Sequence, residues 1–377
     1  MSAWPGKYVI GLTGNIATGK SVVRKMLEHL GAYGIDADAL GHRAIAQGAP
    51  GYQPVVDEFG RWVLSSDGQI DRDKLGRVVF SDPDAMTQLE SIVHPLVGQA
   101  VDILIRRSSQ SVIVIEAIKL IESGLARKCD TLWVTFTPQE LQLARLMQKR
   151  NMTEALARQR INAQPLQEKK TAVANVVIHN DGSFEDTWGQ VTEAWNKIFP
   201  VAEVEVSQVV ETVAGEVSVE RARPKDAEKV ARLITQLTGG KIRMTRNDVM
   251  AAFGEKAYLL LMVDGQALGV AGWKVENLVA RTDDVYIHSS LSFVDSLQIL
   301  MEEVERVSRE LQCEISLLFM PDSFADQESA FRLLGYQRRM IQSLGVRAWE
   351  EAAQESMPDR SIMLFKQLRK DRVLRPV

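Results

Sequence analysis

The hydrophobic positions change period along the chain, and each change marks an element. Tyr8, Val9 and Ile10 open apolar and β-branched, as a buried strand does, and run into the glycine-punctuated stretch Gly11-Leu12-Thr13-Gly14-Asn15-Ile16-Ala17-Thr18-Gly19-Lys20-Ser21. Val22, Val23, Met26, Leu27 and Leu30 then recur at helical spacing, so the order is strand, loop, helix. Residues 33–35 predict a short second strand. Asp71 is expected to cap a helix through Lys74 and Leu75. A further helix starts after Asp82-Pro83 and carries Met86, Leu89, Ile92 and Val93. His94-Pro95 is expected to interrupt it, because proline disfavours helix in the residue before it. Residues 111–116 and 131–136 read as strands, Pro138 opens a helix, and 172–183 hold a last short strand and a turn before a helix over 184–199.

Residues 201–219 are acidic and valine-rich, with Gly215 as the one breaker. From Val217 the pattern restarts with a strand, then a helix carrying Val230, Leu233, Ile234 and Leu237. Residues 258–263 and 267–273 form a hairpin turning at Asp264-Gly265. Strands at 285–288, 314–320 and 361–366 and a helix over 293–311 complete it. The expected division is a domain at 1–200, a linker at 201–216 and a second domain at 217–377.

Composition narrows the class. A chain of 377 residues is long for one domain, and 45% apolar with 25% charged residues is ordinary for a globular protein. A formal net charge of −4 argues against a general nucleic-acid binder. Cys129 and Cys313 lie far apart and make no metal-type cluster, which suits a reduced compartment. The first residues carry no signal-peptide core, and no uninterrupted apolar run is long enough to span a bilayer. A cytoplasmic protein is the expectation.

Gly14 and Gly19 stand where the pattern G-x-x-x-x-G-K-[ST] puts its glycines. Residues 14–21 are thus expected to turn backbone amides around a nucleotide phosphate, with the following helix pointing its positive end at the same anion. Lys20 would reach the β and γ phosphates and Ser21 would offer a hydroxyl to Mg²⁺. Asp36 and Asp38 follow the second strand, where ligands bind in open α/β sheets. Asp36 or Ala37 is expected at the helix cap, with Asp38 facing the site as a proton acceptor. Glu116 ends an apolar strand and reads either as a water-mediated metal contact or as a strand-end surface charge. Arg145 and Lys149 share one helix face, either as a cationic lid over a transferring phosphate or as a solvated basic face. His94 reads equally as a phosphate contact or as a structural histidine.

These motifs, in this order, closely resemble dephospho-CoA kinase over residues 8–199. The resemblance rests on the Gly-Leu-Thr-Gly loop from Gly11, Asp36-Ala37-Asp38, Phe59-Gly60, Asp67-Gly68-Gln69-Ile70-Asp71-Arg72, Leu89-Glu90-Ser91-Ile92-Val93-His94-Pro95, Gln142-Leu143-Ala144-Arg145-Leu146, Arg160-Ile161-Asn162-Ala163-Gln164, and residues 177–183. It implies an α/β P-loop kinase with a parallel sheet flanked by helices and a helical acceptor subdomain. It further implies transfer of the ATP γ-phosphate to the ribose 3′-hydroxyl of dephospho-CoA, with ATP and Mg²⁺ required. By position, Asp38 would be the base, Lys20 and Ser21 the phosphate and Mg²⁺ ligands, Arg145 the lid arginine, and Asn180 a neighbour of the adenine. Asp36, His94 and Lys119 would face substrate.

Three departures stand out. Asn15, Ala17 and Thr18 replace residues of the usual loop, and a positive φ at Ala17 would cost stability. Glu116-Ala117-Ile118-Lys119-Leu120-Ile121-Glu122 stands where the family has Asp-x-Pro-Leu-Leu-Phe-Glu. Lys119 there is expected to contact substrate phosphate, to pair with Glu116 or Glu122, or to be an exposed lysine. Asn175 replaces an aspartate before the last strand. Readings kept beside the kinase are another small-acceptor P-loop kinase of the nucleoside type, and a nucleotide-bound regulatory switch without turnover.

The element order of the second half resembles the GNAT acetyltransferase fold, an α+β arrangement, through Arg221-Ala222-Arg223-Pro224-Lys225-Asp226 and Phe331-Arg332-Leu333-Leu334-Gly335-Tyr336. An active member binds pyrophosphate at a Gln/Arg-x-x-Gly-x-Gly/Ala turn opening a helix. The matching stretch here, 289–296, has neither arginine nor glycine, and Asp295 puts negative charge where an anion should dock. The expectation is a module without acetyltransferase activity, sensing CoA or mediating self-association.

Overall fold

A computed structural model describes residues 3–200 and 217–369, and these fall into two compact units divided between Trp195 and Asn196. The predicted linker at 201–216 lies outside the described residues.

The first unit alternates strand and helix. Its strands are β1 (Tyr8–Thr13), β2 (Tyr33–Asp36), β3 (Val112–Glu116), β4 (Thr131–Phe136) and β5 (Val176–His179). They form one parallel sheet in the order β2-β3-β1-β4-β5. Helices on both faces cover such a sheet, so its strands read as continuous apolar runs, and every residue of β3 is buried. The helices are α1 (Lys20–His29), α2 (Ala37–Ala44), α3 (Tyr52–Phe59), α4 (Arg72–Ser81), α5 (Pro83–Arg107), α6 (Gln139–Arg150), α7 (Glu154–Asn162), α8 (Gln167–Thr171) and α9 (Phe184–Ile198). The chain leaves β1 towards β2 and leaves β4 towards β5, in opposite directions from two neighbouring strands. That divergence opens a crevice beyond their carboxyl ends.

Local chemistry sets these elements. Asp71 and Asp82 cap α4 and α5, each accepting backbone N–H groups of the first turn. The helices α3, α4 and α5 build a core of their own around Val55, Val63, Ile70, Leu75 and Val79. One expectation fails: α5 runs unbroken from Pro83 to Arg107 through Pro95. A single missing N–H is outweighed by the packing of a 25-residue helix that buries Ala85, Ala100, Val101, Leu104 and Ile105. The substituted Asn175 has a plain role, since its Oδ1 accepts the Leu132 N–H at 2.7 Å and holds the start of β4.

The second unit is a seven-stranded mixed sheet, β11-β12-β10-β9-β8-β7-β6. In chain order it comprises β6 (Val217–Arg221), α10 (Ala227–Leu237), α11 (Arg246–Ala252), β7 (Ala257–Val263), β8 (Gln266–Glu276), β9 (Val279–Ile287), α12 (Phe293–Glu310), β10 (Ile315–Pro321), α13 (Glu328–Leu333), β11 (Gln337–Arg338), α14 (Arg347–Ser356) and β12 (Ser361–Gln367). Among the described strands of this sheet, β9 and β10 alone pair in parallel, from Val279 to Thr282 against Ile315 to Leu318. One face packs Leu297, Leu300, Met301 and Val304 of α12 on Leu259, Trp273 and Leu318. The other packs Trp349 and Ala353 of α14 on Ile315, Leu317 and Phe319. The strand expected at 285–288 is longer and starts at Val279, because buried Arg281 and the paired Asp283 and Asp284 hide its apolar alternation. The elements α11, α14 and β11 were not foreseen by periodicity; each is short or polar on most of its surface.

Candidate active site

Residues 14–19 lie between β1 and α1 and are tied down from four directions. Thr18 Oγ1 donates to Asn15 O at 2.8 Å and lies 2.7 Å from Thr135 Oγ1 at the end of β4. Asn15 Nδ2 donates to Pro165 O at 2.8 Å, and the Ile16 N–H donates to Gln164 Oε1 at 2.7 Å. Asn180 Nδ2 donates to Thr18 O at 3.0 Å, and Lys20 Nζ to Asn15 O at 3.2 Å. Both glycines are obligatory. A Cβ on Gly14 would stand 2.3 Å from Thr135 Oγ1, and one on Gly19, whose φ is +84°, would stand 1.8 Å from Asn180 Nδ2. Ala17 adopts a φ of 61°, the strain expected if that position needed a positive angle. No acidic residue occupies the first turn of α1, so its positive end faces the loop uncompensated.

The carboxylates arrive on neighbouring strands. Leu12, Glu116 and Asp36 are level with one another in the registers of β1, β3 and β2. Asp36 caps α2, its Oδ1 accepting the Ala39 N–H at 2.8 Å. Asp38, in the first turn of α2, accepts the Ile118 N–H at 2.9 Å. Burial pushes the Asp38 carboxyl above its ordinary range, opposed by the Ile118 N–H and by Lys20. Asp36 is pushed up too, by burial and then by Glu116, against Arg24. Glu116 is almost fully buried: Oε1 accepts the Ser21 hydroxyl at 2.8 Å and Oε2 accepts Arg24 Nε at 2.6 Å. It is no surface charge.

Cations close the remaining sides. The half-buried Arg145 on α6 donates from Nη1 to Ala17 O at 3.2 Å and Thr137 Oγ1 at 3.3 Å, and from Nη2 to Asn180 O at 2.8 Å. It is tethered to the loop rather than forming part of a solvated face. The side chain of Lys149 lies outside the described residues. Lys170, buried on α8, donates to Ile118 O at 2.5 Å, and Glu122 lies 3.8 Å away. Burial lowers its pKa; Glu122 and Asp38 oppose that shift, and Lys20 adds to it.

One expectation needs correction. Lys119 pairs with Glu90 on α5, not with Glu116 or Glu122, because Arg24 and Ser21 already engage Glu116 and Lys170 sits nearer Glu122. Lys119 is exposed, as one of its readings had it, and through Glu90 it ties the segment after β3 to the helical subdomain. His94 sits midway along α5, partly exposed, and forms no hydrogen bond or ion pair among the described residues. The turn holding it packs on α2: a Cβ on Gly41 would lie 3.4 Å from Val93 and 3.7 Å from Val97. Arg24, Lys170, Thr135 and Thr137 escape sequence reasoning, and Gln164 entered it as part of the motif at 160–164 without a role. Only Arg24 carries a signal, its i, i+4 spacing to Glu28.

The donor set at Ser21 is oxygen: its own hydroxyl, with the buried Glu116 carboxylate behind it. That suits Mg²⁺, which takes few protein ligands and completes its shell with water and phosphate. No group of three or more His, Cys, Asp or Glu side chains among the described residues forms a metal site.

Comparison with known proteins agrees with this geometry. The family model described as Dephospho-CoA kinase matches residues 8–186. A dephospho-CoA kinase of Geobacter sulfurreducens is 40% identical over 195 residues, 51% of this chain and 99% of that one. One from Streptomyces avermitilis is 43% identical over 187 residues, 49% of this chain and 91% of that one. A solved acetyltransferase of the GNAT family from Staphylococcus aureus aligns with 41% of this chain and 100% of its own, at 11% identity and a TM-score of 0.33. No helix among the described residues is long and apolar enough to cross a membrane. At 40% identity over 99% of the length of one such relative, the chain belongs to the dephospho-CoA kinase family.

Proposed function

We propose that the first unit transfers the γ-phosphate of ATP to the ribose 3′-hydroxyl of dephospho-CoA, giving coenzyme A and ADP, with Asp38 as the base. The observation that carries this reading is the placement of Asp38. Its carboxylate is fixed by the Ile118 N–H, in the field of Lys20, on the helix that follows β2. The sugar hydroxyl gives its proton to Asp38 as its oxygen bonds to the γ-phosphorus and the bond to the β-phosphate oxygen breaks. Lys20, Arg145 and the amides of residues 14–21 neutralise charge on the equatorial and leaving oxygens. Ser21, backed by Glu116, would hold Mg²⁺, which when bound supplies further charge neutralisation. Asn180, bonded to Thr18 O and Arg145, fits a place beside the nucleotide base. The helices α2 to α5 would hold the acceptor, with Asp36, His94 and Lys119 on that side. Phosphorus NMR of the product made from ATP and dephospho-CoA tests this: a new phosphomonoester on the 3′-oxygen is expected, and phosphate elsewhere, or ADP release independent of acceptor, contradicts it.

For the second unit we infer a module that does not hold the acetyl-CoA pyrophosphate. Ser292 Oγ already caps α12 by accepting the Asp295 N–H at 3.5 Å, and Asp295 adds negative charge to that first turn. Amide hydrogen exchange of the full chain with acetyl-CoA is expected to leave 289–296 unchanged; protection there contradicts it.

A further inference from the structure

We propose that Arg24 is a positioning residue for the magnesium end of the site: its guanidinium pins the Glu116 carboxylate where that carboxylate holds the Ser21 hydroxyl. The proposal rests on the kinase reading of the first unit and adds to it a residue that touches neither substrate nor metal.

The geometry is a buried relay. Lys25 Nζ donates to Glu28 Oε2 at 2.8 Å, Arg24 Nη1 to Glu28 Oε1 at 2.6 Å, Arg24 Nε to Glu116 Oε2 at 2.6 Å, and Ser21 Oγ to Glu116 Oε1 at 2.8 Å. Both Arg24 and Glu116 are 4% exposed, so solvent does little to screen the contact. Arg24 stands three residues after Ser21 and four after Lys20, on the side of α1 that faces β3. The neighbouring strand leaves room for the pair: a Cβ on Gly34 would lie 2.0 Å from Glu28 Oε1 and 3.0 Å from Arg24 Cγ.

Glutamate needs such a clamp more than aspartate does. Compared with an aspartate at the same place, Glu116 has one more rotatable bond and reaches one methylene further. Unrestrained, it would visit several rotamers and hold Ser21 in only some of them. A guanidinium donates along fixed directions from a rigid plane, so one arginine bridges two carboxylates and locks both; a lysine ammonium does not. Groups behind a metal ligand set its affinity by orienting it, and their loss typically weakens metal binding about 10- to 100-fold.

The test titrates Mg²⁺ into the full chain with a non-hydrolysable ATP analogue, by calorimetry, for wild type, Arg24→Lys, Glu116→Asp and the double variant. Circular dichroism reports folding, and Arg24→Lys keeps a positive charge beside both carboxylates. Arg24→Lys is expected to raise the Mg²⁺ concentration for half-saturation about tenfold, while binding of the analogue without Mg²⁺ stays within about twofold of wild type. Glu116→Asp should show a similar defect through its shortened reach, and adding Arg24→Lys to it should change little further. A folded Arg24→Lys variant with wild-type Mg²⁺ dependence, or defects that multiply in the double variant, overturns the proposal. Wild-type chain that binds Mg²⁺ and the analogue but leaves dephospho-CoA unphosphorylated would sink the kinase reading alone.

Discussion

A Cβ on Gly19 would stand 1.8 Å from Asn180 Nδ2, so the phosphate loop and the turn after β5 are fitted to each other through a missing side chain. Asn180 uses that space to donate to Thr18 O at 3.0 Å. The contact joins the place of the phosphates to the proposed place of the base. Gly19→Ala must push Asn180 away and also hold alanine at a φ of +84°. Calorimetry should show ATP binding weakened at least about 100-fold, equivalent to about 3 kcal/mol. Affinity within threefold of wild type would mean that the loop and Asn180 move independently.

Ala17 is a stabilisation opportunity within the same loop. Its φ of 61° costs an alanine about 1 kcal/mol and a glycine far less. Ala17→Gly is expected to raise the melting temperature of the first unit by about 2 °C. A fall would mean that its methyl contact with the Ile16 and Leu146 cluster outweighs the backbone strain.

The stability of the first unit should depend on pH through Asp36. Its carboxyl is pushed up to about 7 from a reference of 3.8, by burial and by Glu116. The folded chain therefore holds this proton to higher pH than the unfolded chain does. The contribution is complete below the unfolded value and is lost as pH rises from about 4 towards about 7. Asparagine caps a helix as well as aspartate does and carries no charge. Asp36→Asn should flatten that decline and stabilise the unit at pH 7 by about 1 kcal/mol. Urea melts at pH 5 and pH 7 check it; a variant destabilised more at pH 7 than at pH 5 would contradict the sign.

What could be read from the chain, and what could not, follows from range. Gly14, Gly19, Lys20 and Ser21 were legible because close backbone approach and a fixed strand–loop–helix order permit few residue types. Asp36 and Asp38 were legible because one caps a helix and the other follows it. Glu116 announced itself at the end of a wholly apolar strand, but its partner Arg24, 92 residues away in sequence, did not, and neither did Lys170, which meets the Ile118 carbonyl across 52 residues. No local period encodes such contacts. Lys119 misled for the same reason, since its partner Glu90 is on a helix 29 residues earlier. Pro95 misled in the other direction, because a strong local rule yielded to tertiary packing of α5.

The central claim is that Asp38 accepts the proton of an incoming sugar hydroxyl beside a preformed phosphate grip. Steady-state kinetics of Asp38→Asn with ATP and dephospho-CoA, paired with ATP affinity by calorimetry, tests it most directly. The account predicts kcat lower by about 10²- to 10⁴-fold with ATP affinity within about twofold of wild type. A variant that turns over at the wild-type rate, or that loses ATP binding in step with turnover, would contradict it.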